Sequence, residues 1–237
     1  MDSIILCEGR VDTALIGQYL ASISGWHYSK VSKSGANFLE EDRKQIINKY
    51  KRDDHWMYLW GVGGRKRFKS PFEKILEFNS LNKDTSFNNI VFIVDRDEED
   101  EATIVAEFAG YIGNDELRKN EWLDVTYTDK FGHEYTVRMM LIIVPFDEEG
   151  ALETVMINSL AEEDDEEIIP QCVKFIDGIK SEKYLKKRRD ILKAKLSTLI
   201  AIIDPDRAVD SLVEIVEGIQ WDRYRAVNQT FNKLLEL

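Results

Sequence analysis

The sequence predicts an α/β fold, with a parallel sheet flanked by helices and a C-terminal helical extension. Over residues 1–160, short apolar runs of the kind found in strands buried on both faces alternate with segments of helical period. Beyond residue 166 only helical periods remain. Strands that alternate with helices favour parallel pairing, because each helix returns the chain to the same edge of the sheet. We therefore expect an α/β core at 1–160 and a helical extension at 161–237, packed on that core.

The first half of the core contains two short apolar runs, each followed closely by glycine, and three segments with apolar residues three or four positions apart. The runs predict strands, and the spaced segments predict helices. Asp12 suits the first turn of the first helix, and Pro71 suits the first turn of the third. In chain order, the predicted elements are a strand at 4–7, a helix from residue 11, a helix at 38–51, a strand at 57–62 and a helix at 71–78.

The second half of the core begins with the clearest strand, IVFIV at 90–94, which runs directly into an acidic segment. A helical period follows at 102–112. Two further strand candidates predict a β-hairpin inserted in the core near residues 122–144, which Pro145 ends. The hairpin strands are predicted at 122–128 and 135–144, and the remaining helices at 151–160, 168–179, 183–203, 207–218 and 228–235.

The formal net charge of the chain is −12, and it is unevenly distributed. Residues 70–170 carry −19, whereas residues 30–69 carry +6 and residues 180–195 contain eight basic side chains. The chain therefore lacks the overall basic character of a strong non-specific DNA-binding protein, and its basic segments are local. Taken singly, each charged run also fits a solvated helix face.

Several classes of protein are excluded by the sequence. The two cysteines, Cys7 and Cys172, form neither a disulfide framework nor a CxxC zinc motif. No apolar stretch approaches the roughly 20 residues that span a bilayer, and the first residues lack the pattern of a signal peptide. No GxxxxGK[ST] phosphate loop is present. We expect a cytoplasmic protein without a membrane partner.

Two of the predicted strands end in acidic residues. Glu8 follows the first strand, and Asp95 and Asp97 follow the clearest one. Because parallel sheets bind ligands at the carboxyl ends of their strands, we expect these side chains in one crevice. Carboxylates that lie so close together need a cation to remain ionised, and oxygen donors favour Mg²⁺ or Mn²⁺. Gly9 allows a sharp turn after Glu8 and leaves space for a phosphate at the start of the next helix.

Each of these acids also has a simpler interpretation. Asp95 and Asp97 can cap the helix that follows them, and Glu8 can lie exposed in a loop. The combination of ExxxD after one buried strand with DxD after another favours a shared site over three unrelated acids. The sequence therefore predicts an acidic cluster that binds a metal ion.

The motifs EGRVD at 8–12 and DRD at 95–97 resemble the two signature motifs of the toprim domain. That domain occurs in type IA and type II topoisomerases, bacterial primases, overcoming-lysogenization-defect nucleases and small ribosomal-RNA maturation nucleases. The order of the motifs, their places at strand ends and the intervening GVGG at 61–64 fit the toprim plan, a compact parallel sheet flanked by helices. The nearest resemblance is to stand-alone bacterial toprim-like proteins without an assigned function, which share the pattern of VPFDEEGALE at 144–153.

The resemblance implies metal-dependent phosphoryl chemistry on nucleic acid. It makes Glu8 the general acid/base, or a metal ligand as in the nuclease-like members, and it makes Asp95 and Asp97 ligands of Mg²⁺ (or Mn²⁺). Asp12 would position or extend the acidic cluster. Glu153 is the candidate for a further ligand, with a helix N-terminal acid as the alternative.

The chain departs from the larger members of the family. A topoisomerase needs a nucleophilic tyrosine in a separate DNA-gating domain, and no segment of this chain is large enough to supply one. Primases place a zinc-binding module beside their toprim core, and two isolated cysteines exclude such a module here. The resemblance is therefore to a toprim core that carries additional helices.

A loop that combines glycines with basic residues follows the strand at 57–62. We expect its backbone N–H groups and cations to face a phosphate. The alternative is a turn followed by the solvated start of a helix. The residues in question are Gly63, Gly64, Arg65 and Lys66.

Together these features predict a toprim-like protein that performs Mg²⁺-dependent phosphodiester chemistry on nucleic acid, as a nuclease does. One alternative is a catalytically silent toprim scaffold that binds metal or partners, which the acidic segment 70–170 favours because it repels phosphate backbones. The other alternative is a phosphatase or phosphotransferase that acts on a nucleotide. The expected partner is nucleic acid, with a protein partner or a second copy of this chain as the alternatives.

Overall fold

The structure, a computed structural model, describes residues 1–33, 45–82, 85–162, 167–181, 183–207 and 210–237. Within these ranges a seven-stranded sheet is flanked on both faces by helices, and the predicted α/β class is confirmed. The strands are β1 (Ser3–Cys7), β2 (His27–Tyr28), β3 (Ile46–Arg52), β4 (His55–Gly61), β5 (Asn89–Asp95), β6 (Leu123–Thr128) and β7 (Glu134–Val144). The helices are α1 (Arg10–Ser24), α2 (Lys69–Leu81), α3 (Glu101–Ile112), α4 (Leu152–Leu160), α5 (Ile168–Gly178), α6 (Arg188–Ile203), α7 (Leu212–Glu217) and α8 (Arg225–Phe231).

The four central strands of the sheet run parallel, and the outer strands join it by antiparallel pairing. The strand order is β2-β3-β4-β1-β5-β7-β6. β1 pairs in parallel with β4 and β5, and β5 pairs in parallel with β7. β3, β2 and β6 extend the sheet as antiparallel partners. The carboxyl ends of β4, β1, β5 and β7 therefore lie at one edge of the sheet, which we call the carboxyl edge.

The side chains of β1 alternate between the two faces of the sheet, and each face has its own core. Ile4 and Leu6 join a core under α2 and α3 that is rich in phenylalanine. Ile5 and Cys7 join a core under α1, α4 and the C-terminal helices. All five residues of β1 are buried, as expected for a parallel strand covered on both faces.

The C-terminal helices share a hydrophobic core with the sheet. α7 packs on α1, α8 packs on α4, and α6 packs on both α4 and α5. Leu196, Trp221 and Phe231 are fully buried in the cluster that also contains Ile5 of β1. The described parts of residues 161–237 are therefore packed directly on the sheet and its helices.

None of the helices in the described ranges combines the length and the hydropathy that a membrane-spanning helix needs.

One predicted helix is wrong over the part that the structure describes. Residues 46–51, the end of the helix predicted at 38–51, belong to β3, and residues 38–44 lie outside the described ranges. Ile47 and Tyr50 are the buried positions of β3, and their spacing of three residues imitates a helical period. Antiparallel pairing with the whole of β4 decides the conformation, because tertiary context overrides so short a pattern.

The segment near 122–144, where the sequence predicts a hairpin insertion, contains β6 and β7. These strands pair antiparallel, and residues 129–133 form the turn between them. β7 also pairs in parallel with β5 over seven residues, from Asn89 opposite Arg138 to Asp95 opposite Val144. The hairpin is therefore part of the central sheet, with β7 inside it and β6 at its edge.

Candidate active site

Glu8 lies at the carboxyl end of β1, where the chain turns into α1. Its carbonyl oxygen accepts hydrogen bonds from the N–H groups of Gly63 and Gly64, each at 2.9 Å. Its side-chain Oε1 accepts a hydrogen bond of 3.3 Å from the N–H of Asp95, the last residue of β5. Glu8 is therefore fixed between the ends of two neighbouring strands, at the edge where parallel sheets bind ligands.

Asp95 connects the end of β5 to the start of α4. Its Oδ1 accepts a hydrogen bond of 2.9 Å from the N–H of Leu152, the first residue of α4. That N–H is one of the donors left free at the start of every helix, and the carboxylate also interacts favourably with the helix dipole. Asp95 thus caps α4 rather than α3, the helix that follows it in the chain.

Two more carboxylates come from the first turns of helices. In α1, Asp12 Oδ2 accepts a hydrogen bond of 3.0 Å from the N–H of Gly9. In α4, Glu153 is only 7% exposed, and its Oε1 lies 4.0 Å from Nζ of Lys193. Acidic side chains are favoured at both positions by the helix dipole, which adds two acids to the carboxyl edge of the sheet.

The four acids line one cavity with a volume of about 320 Å³. Two basic side chains of α6, Arg189 and Lys193, line the same cavity. Its volume lies at the lower end of the range of small-molecule pockets, about 300–1,000 Å³. Carboxylates from three parts of the chain therefore share one concave surface with these two cations and with Arg10, which follows Gly9 in the chain. The acids are Glu8, Asp12, Asp95 and Glu153.

The cavity disfavours the charged form of three of its carboxyl groups. Burial is the largest cause, because it raises the pKa of Glu8 and Asp95 and raises the pKa of Asp12 to about 7. Mutual repulsion adds to burial: the charge of Glu8 raises the pKa of Asp12, and the charge of Asp12 raises the pKa of Asp95. The Arg189 guanidinium acts in the opposite sense and lowers the pKa of Glu8. A further cation beside these groups would relieve the same repulsion.

Asp97, which the sequence predicts as a metal ligand, lies outside the wall of this cavity. Its side chain is exposed, and its backbone is left-handed with φ of 52°. Its N–H donates to the carbonyl of Gly150 at 2.6 Å, and its own carbonyl accepts from the N–H of Gly150 at 3.0 Å. The charge of Asp97 still raises the pKa of Glu8. Asp97 therefore joins two loops at the carboxyl edge and acts on Glu8 through its charge.

The predicted phosphate-binding loop is divided between different surroundings. Gly63 and Gly64 line the cavity, but both N–H groups already donate to the carbonyl of Glu8. Arg65 forms ion pairs with Glu99 and Glu107, at 3.0 and 2.7 Å. Lys66 lines a separate depression of about 380 Å³, together with Lys69 and Lys74. Only the glycines of this loop therefore contribute to the cavity that contains the acids.

Arg189 and Lys193 are site residues that the sequence did not single out. They belong to the basic segment 180–195, where the bases occur at mixed helical phases. A spacing of four residues places these two on one face of α6, which is the signal that distinguishes them. That this face meets the acids depends on the packing of α6 on α4, which the sequence pattern does not contain.

The donor chemistry of the cavity fits a hard divalent cation. Its wall offers four carboxylates and no histidine, and carboxylate oxygens suit Mg²⁺ or Mn²⁺ better than the nitrogen and sulfur ligands of zinc do. As placed in the described ranges, no three His, Cys, Asp or Glu side chains already form a metal-binding group. Binding a metal ion would therefore draw the carboxylates closer together.

No protein-family model matches the chain, and no curated protein matches it. Its fold is similar to the crystal structure of a hypothetical protein from Pyrococcus horikoshii OT3. The two share 16% sequence identity with a TM-score of 0.62, over 99% of this chain and 98% of that one. The similarity extends over the C-terminal helices as well as the sheet, and at this identity it concerns the fold alone.

Proposed function

We propose that the chain is a toprim-like enzyme that cleaves phosphodiester bonds of nucleic acid with Mg²⁺ or Mn²⁺ as its cofactor. The observation that carries the proposal is the cavity at the carboxyl edge, where Glu8, Asp12, Asp95 and Glu153 face Arg189 and Lys193. Acids of this number in one cavity suit a divalent cation, and the adjacent basic groups suit an anionic substrate.

Asp95 is the side chain that would hold the metal ion, with Glu8 as a second ligand or as the general acid/base, and Glu153 lies beside them in the same cavity. Asp97 is the ligand that the toprim resemblance adds, and it lies close enough to act on Glu8 through its charge. When bound, the metal would polarise a phosphoryl oxygen and activate water as the nucleophile.

The protein's own side chains would have two roles, proton transfer and stabilisation of negative charge. Burial raises the pKa of Glu8 in the direction of neutral pH. A general acid/base works best when its pKa lies near the pH of the reaction. Arg189 and Lys193 are cations in the same cavity, where they can offset the negative charge that develops on a phosphate in the transition state. Asp12 acts through its hydrogen bond to Gly9, which fixes the turn that follows Glu8.

A purely structural role for the acids is less well supported. A scaffold would be favoured if neighbouring arginines neutralised the cluster. Instead, Arg96 pairs with Glu101 at 3.1 Å, and Arg10 lines the cavity without an ion pair to an acid of the described ranges. Neither arginine therefore neutralises the cluster by an ion pair with its acids.

The test is a cleavage assay with Mg²⁺ or Mn²⁺ on single- and double-stranded DNA and RNA. Glu8→Gln and Asp95→Asn keep the size of each side chain and remove its charge. Both are expected to lower the cleavage rate by at least about 100-fold, because each removes a ligand or the proton-transfer group. EDTA should abolish the activity of the wild type.

Glu121→Gln and Asp124→Asn are the matched controls, because both acids are exposed and neither lines the cavity. They should retain wild-type activity. Activity that survives both cavity substitutions would show that the site is assigned wrongly. A wild-type protein that cleaves none of the four substrates with either metal would refute the proposal.

A further inference from the structure

A strip of exposed basic residues leads to the cavity from the segment before α6. Tyr184 lies among these bases in the sequence, and it is also exposed, to 69% of its area. The chain carries a net charge of −12, so a local concentration of cations needs its own explanation. We call this surface the basic strip; it consists of Lys180, Lys183, Lys186, Lys187 and Arg189 with Tyr184.

The cations of the basic strip differ from their neighbours in α6 in their ion pairing within the described ranges. Three neighbouring bases do form ion pairs: Arg188 with Glu149 at 2.7 Å, Lys193 with Glu153 at 4.0 Å, and Lys195 with Asp177 at 2.8 Å. In the strip itself, no lysine or arginine pairs with an acid of the described ranges. Its positive charge is therefore available to an anionic partner.

Tyr184 adds a flat apolar surface to this charge. Nζ of Lys183 lies 4.8 Å from the centre of the ring, in cation–π contact. Tyr184 is held by the turn before α6, where its N–H donates to the carbonyl of Ser181 at 3.3 Å. An exposed aromatic ring among cations is the combination with which proteins bind unpaired nucleic acid, because every base offers a face for stacking.

The strip is continuous with the cavity. Arg189 belongs to both, since it lines the cavity and lowers the pKa of Glu8. Tyr184 precedes Arg189 by five residues, so their Cα atoms are at most about 18 Å apart. Arg188 fixes the start of α6 against Glu149, in the loop that leads into α4. A flexible anionic chain bound on the strip would therefore reach the four carboxylates.

We infer that the basic strip binds a single-stranded polynucleotide, stacks one base on Tyr184 and guides the backbone past Arg189 into the cavity. The inference rests on the proposed function and names its substrate class. A single strand fits because its bases are free to stack, whereas the base faces of a duplex are hidden inside the helix. DNA and RNA share this chemistry, so both are included in the test.

The test is a binding measurement by fluorescence anisotropy in EDTA, where metal-dependent cleavage does not occur. The probes are unstructured strands of DNA and RNA about 20 nucleotides long, longer than the site of one binding domain, and a duplex of the same length. The protein variants are Tyr184→Ala and the double charge reversal Lys186→Glu with Lys187→Glu. Each is exposed, so the fold should persist, which a thermal unfolding curve will check.

A matched control surface exists at the opposite edge of the sheet. Phe131, in the turn between β6 and β7, is 66% exposed, and Nζ of Lys130 lies 5.3 Å from the centre of its ring. Phe131→Ala and Lys130→Glu therefore remove the same kind of aromatic–cation pair without touching the basic strip. These variants should bind each probe as the wild type does.

Tyr184→Ala is expected to weaken binding of the single strands by roughly 5- to 150-fold, the range for loss of one stacked base. The charge reversal should weaken binding further and reduce the slope of log K against log salt by about 0.7 for each phosphate that the protein no longer neutralises. Duplex should bind less tightly than single strand.

The inference is overturned if the wild type does not bind single strands, if duplex binds as tightly, or if the strip variants behave like the control pair. It is also overturned if polyglutamate competes as well as an unlabelled strand.

The two proposals fail in different ways. Binding that depends on Tyr184 in EDTA, without cleavage when Mg²⁺ or Mn²⁺ is added, would support the strip and refute the enzymatic function. Cleavage that depends on Glu8, with strip variants that bind normally, would support the enzyme and refute the strip.

Discussion

The geometry of the site depends on glycine at position 61, because there is no room for a side chain there. This residue ends β4 beside the turn that follows Glu8. A Cβ atom at this position would lie 2.8 Å from the carbonyl oxygen of Gly9 and 3.0 Å from its carbonyl carbon. Both are backbone atoms, which cannot move aside as the end of a flexible side chain can. Any larger residue must therefore displace the turn that carries Glu8.

We expect Gly61→Ala to lower the free energy of unfolding by about 1–3 kcal/mol, as overpacking of a tight contact does. It should also lower the cleavage rate, because the Glu8 turn shifts. Gly110→Ala is the matched control in the interior of α3, where a Cβ would meet nothing within 4 Å. There the helix propensity of alanine should raise stability by up to about 1 kcal/mol. Urea denaturation measures both changes, and equal effects of the two substitutions would contradict the packing argument.

The sequence predicted the acids of the candidate site better than its cations. Glu8 and Asp95 follow from a general rule, because the ends of parallel strands meet at one edge whatever the side chains between them. Asp97 follows the same strand, yet a left-handed backbone directs the chain towards Gly150, and a motif does not contain that turn. Arg189 reaches the cavity only through the packing of α6 on α4, which is a property of the folded chain.

At the scale of elements, the turn between β6 and β7 is fixed by one carboxylate. Asp129 Oδ1 accepts hydrogen bonds from the N–H groups of Phe131 and His133, at 2.8 and 2.9 Å. Its Oδ2 lies 3.1 Å from Nδ1 of His133. These bonds to the ionised carboxylate lower the pKa of Asp129, with the backbone of His133 as the largest cause. The turn is therefore stabilised by the charged form of this residue.

A lowered pKa fixes the sign of the pH dependence. The contribution of Asp129 to stability is fully present above the ordinary aspartate pKa of about 4, and it is lost as the pH falls through the lower pKa of the folded state. Asp129→Asn should therefore be less stable than the wild type at pH 7, with a difference that narrows below about pH 4. Thermal unfolding of both proteins at pH 7 and below about pH 4 measures the difference. Asp124→Asn, on the same hairpin, should show no such trend, and a constant difference for Asp129→Asn would contradict the assignment.

A helix or strand is predicted correctly from the sequence when its own residues carry the pattern, without help from a distant partner. β1 and β5 are continuous apolar runs, buried on both faces, and such runs are visible in any sequence. β3 alternates poorly because only Ile47 and Tyr50 are buried, so its pattern is as consistent with a helix as with a strand. Its conformation is decided by β4, which supplies the hydrogen bonds of an antiparallel partner.

At the scale of the whole molecule, one hydrophobic core joins the two ends of the chain. Leu15 of α1 and Leu196 of α6 belong to the same buried cluster, together with Trp221. Removing residues 161–237 would therefore expose apolar side chains of α1 and α4. The chain is expected to unfold in a single cooperative transition, because the core under α1 and α4 is shared between the two parts.

A truncated protein of residues 1–160 should accordingly lack a cooperative unfolding transition, as measured by calorimetry and near-UV circular dichroism. In the full chain, Leu196→Ala should cost about 2–5 kcal/mol, because a fully buried leucine is replaced by a cavity. Leu235→Ala is the matched control, since Leu235 is 41% exposed and its truncation should change stability by no more than about 0.5 kcal/mol. A truncated protein that unfolds cooperatively would show that the sheet and its first helices form an independent domain.

The central position of β1 also affects how the protein is made. Its partners β4 and β5 begin only at His55 and Asn89. β1 therefore cannot form its sheet hydrogen bonds until both of these strands have been synthesised. At a synthesis rate of about 5–20 residues per second, β5 is complete roughly 4–18 s after β1. During that interval the segment IILC has no partner in the sheet, and it is a site at which nascent chains can aggregate or bind chaperones. The strand that leads to Glu8 is thus synthesised well before either of its partners in the sheet.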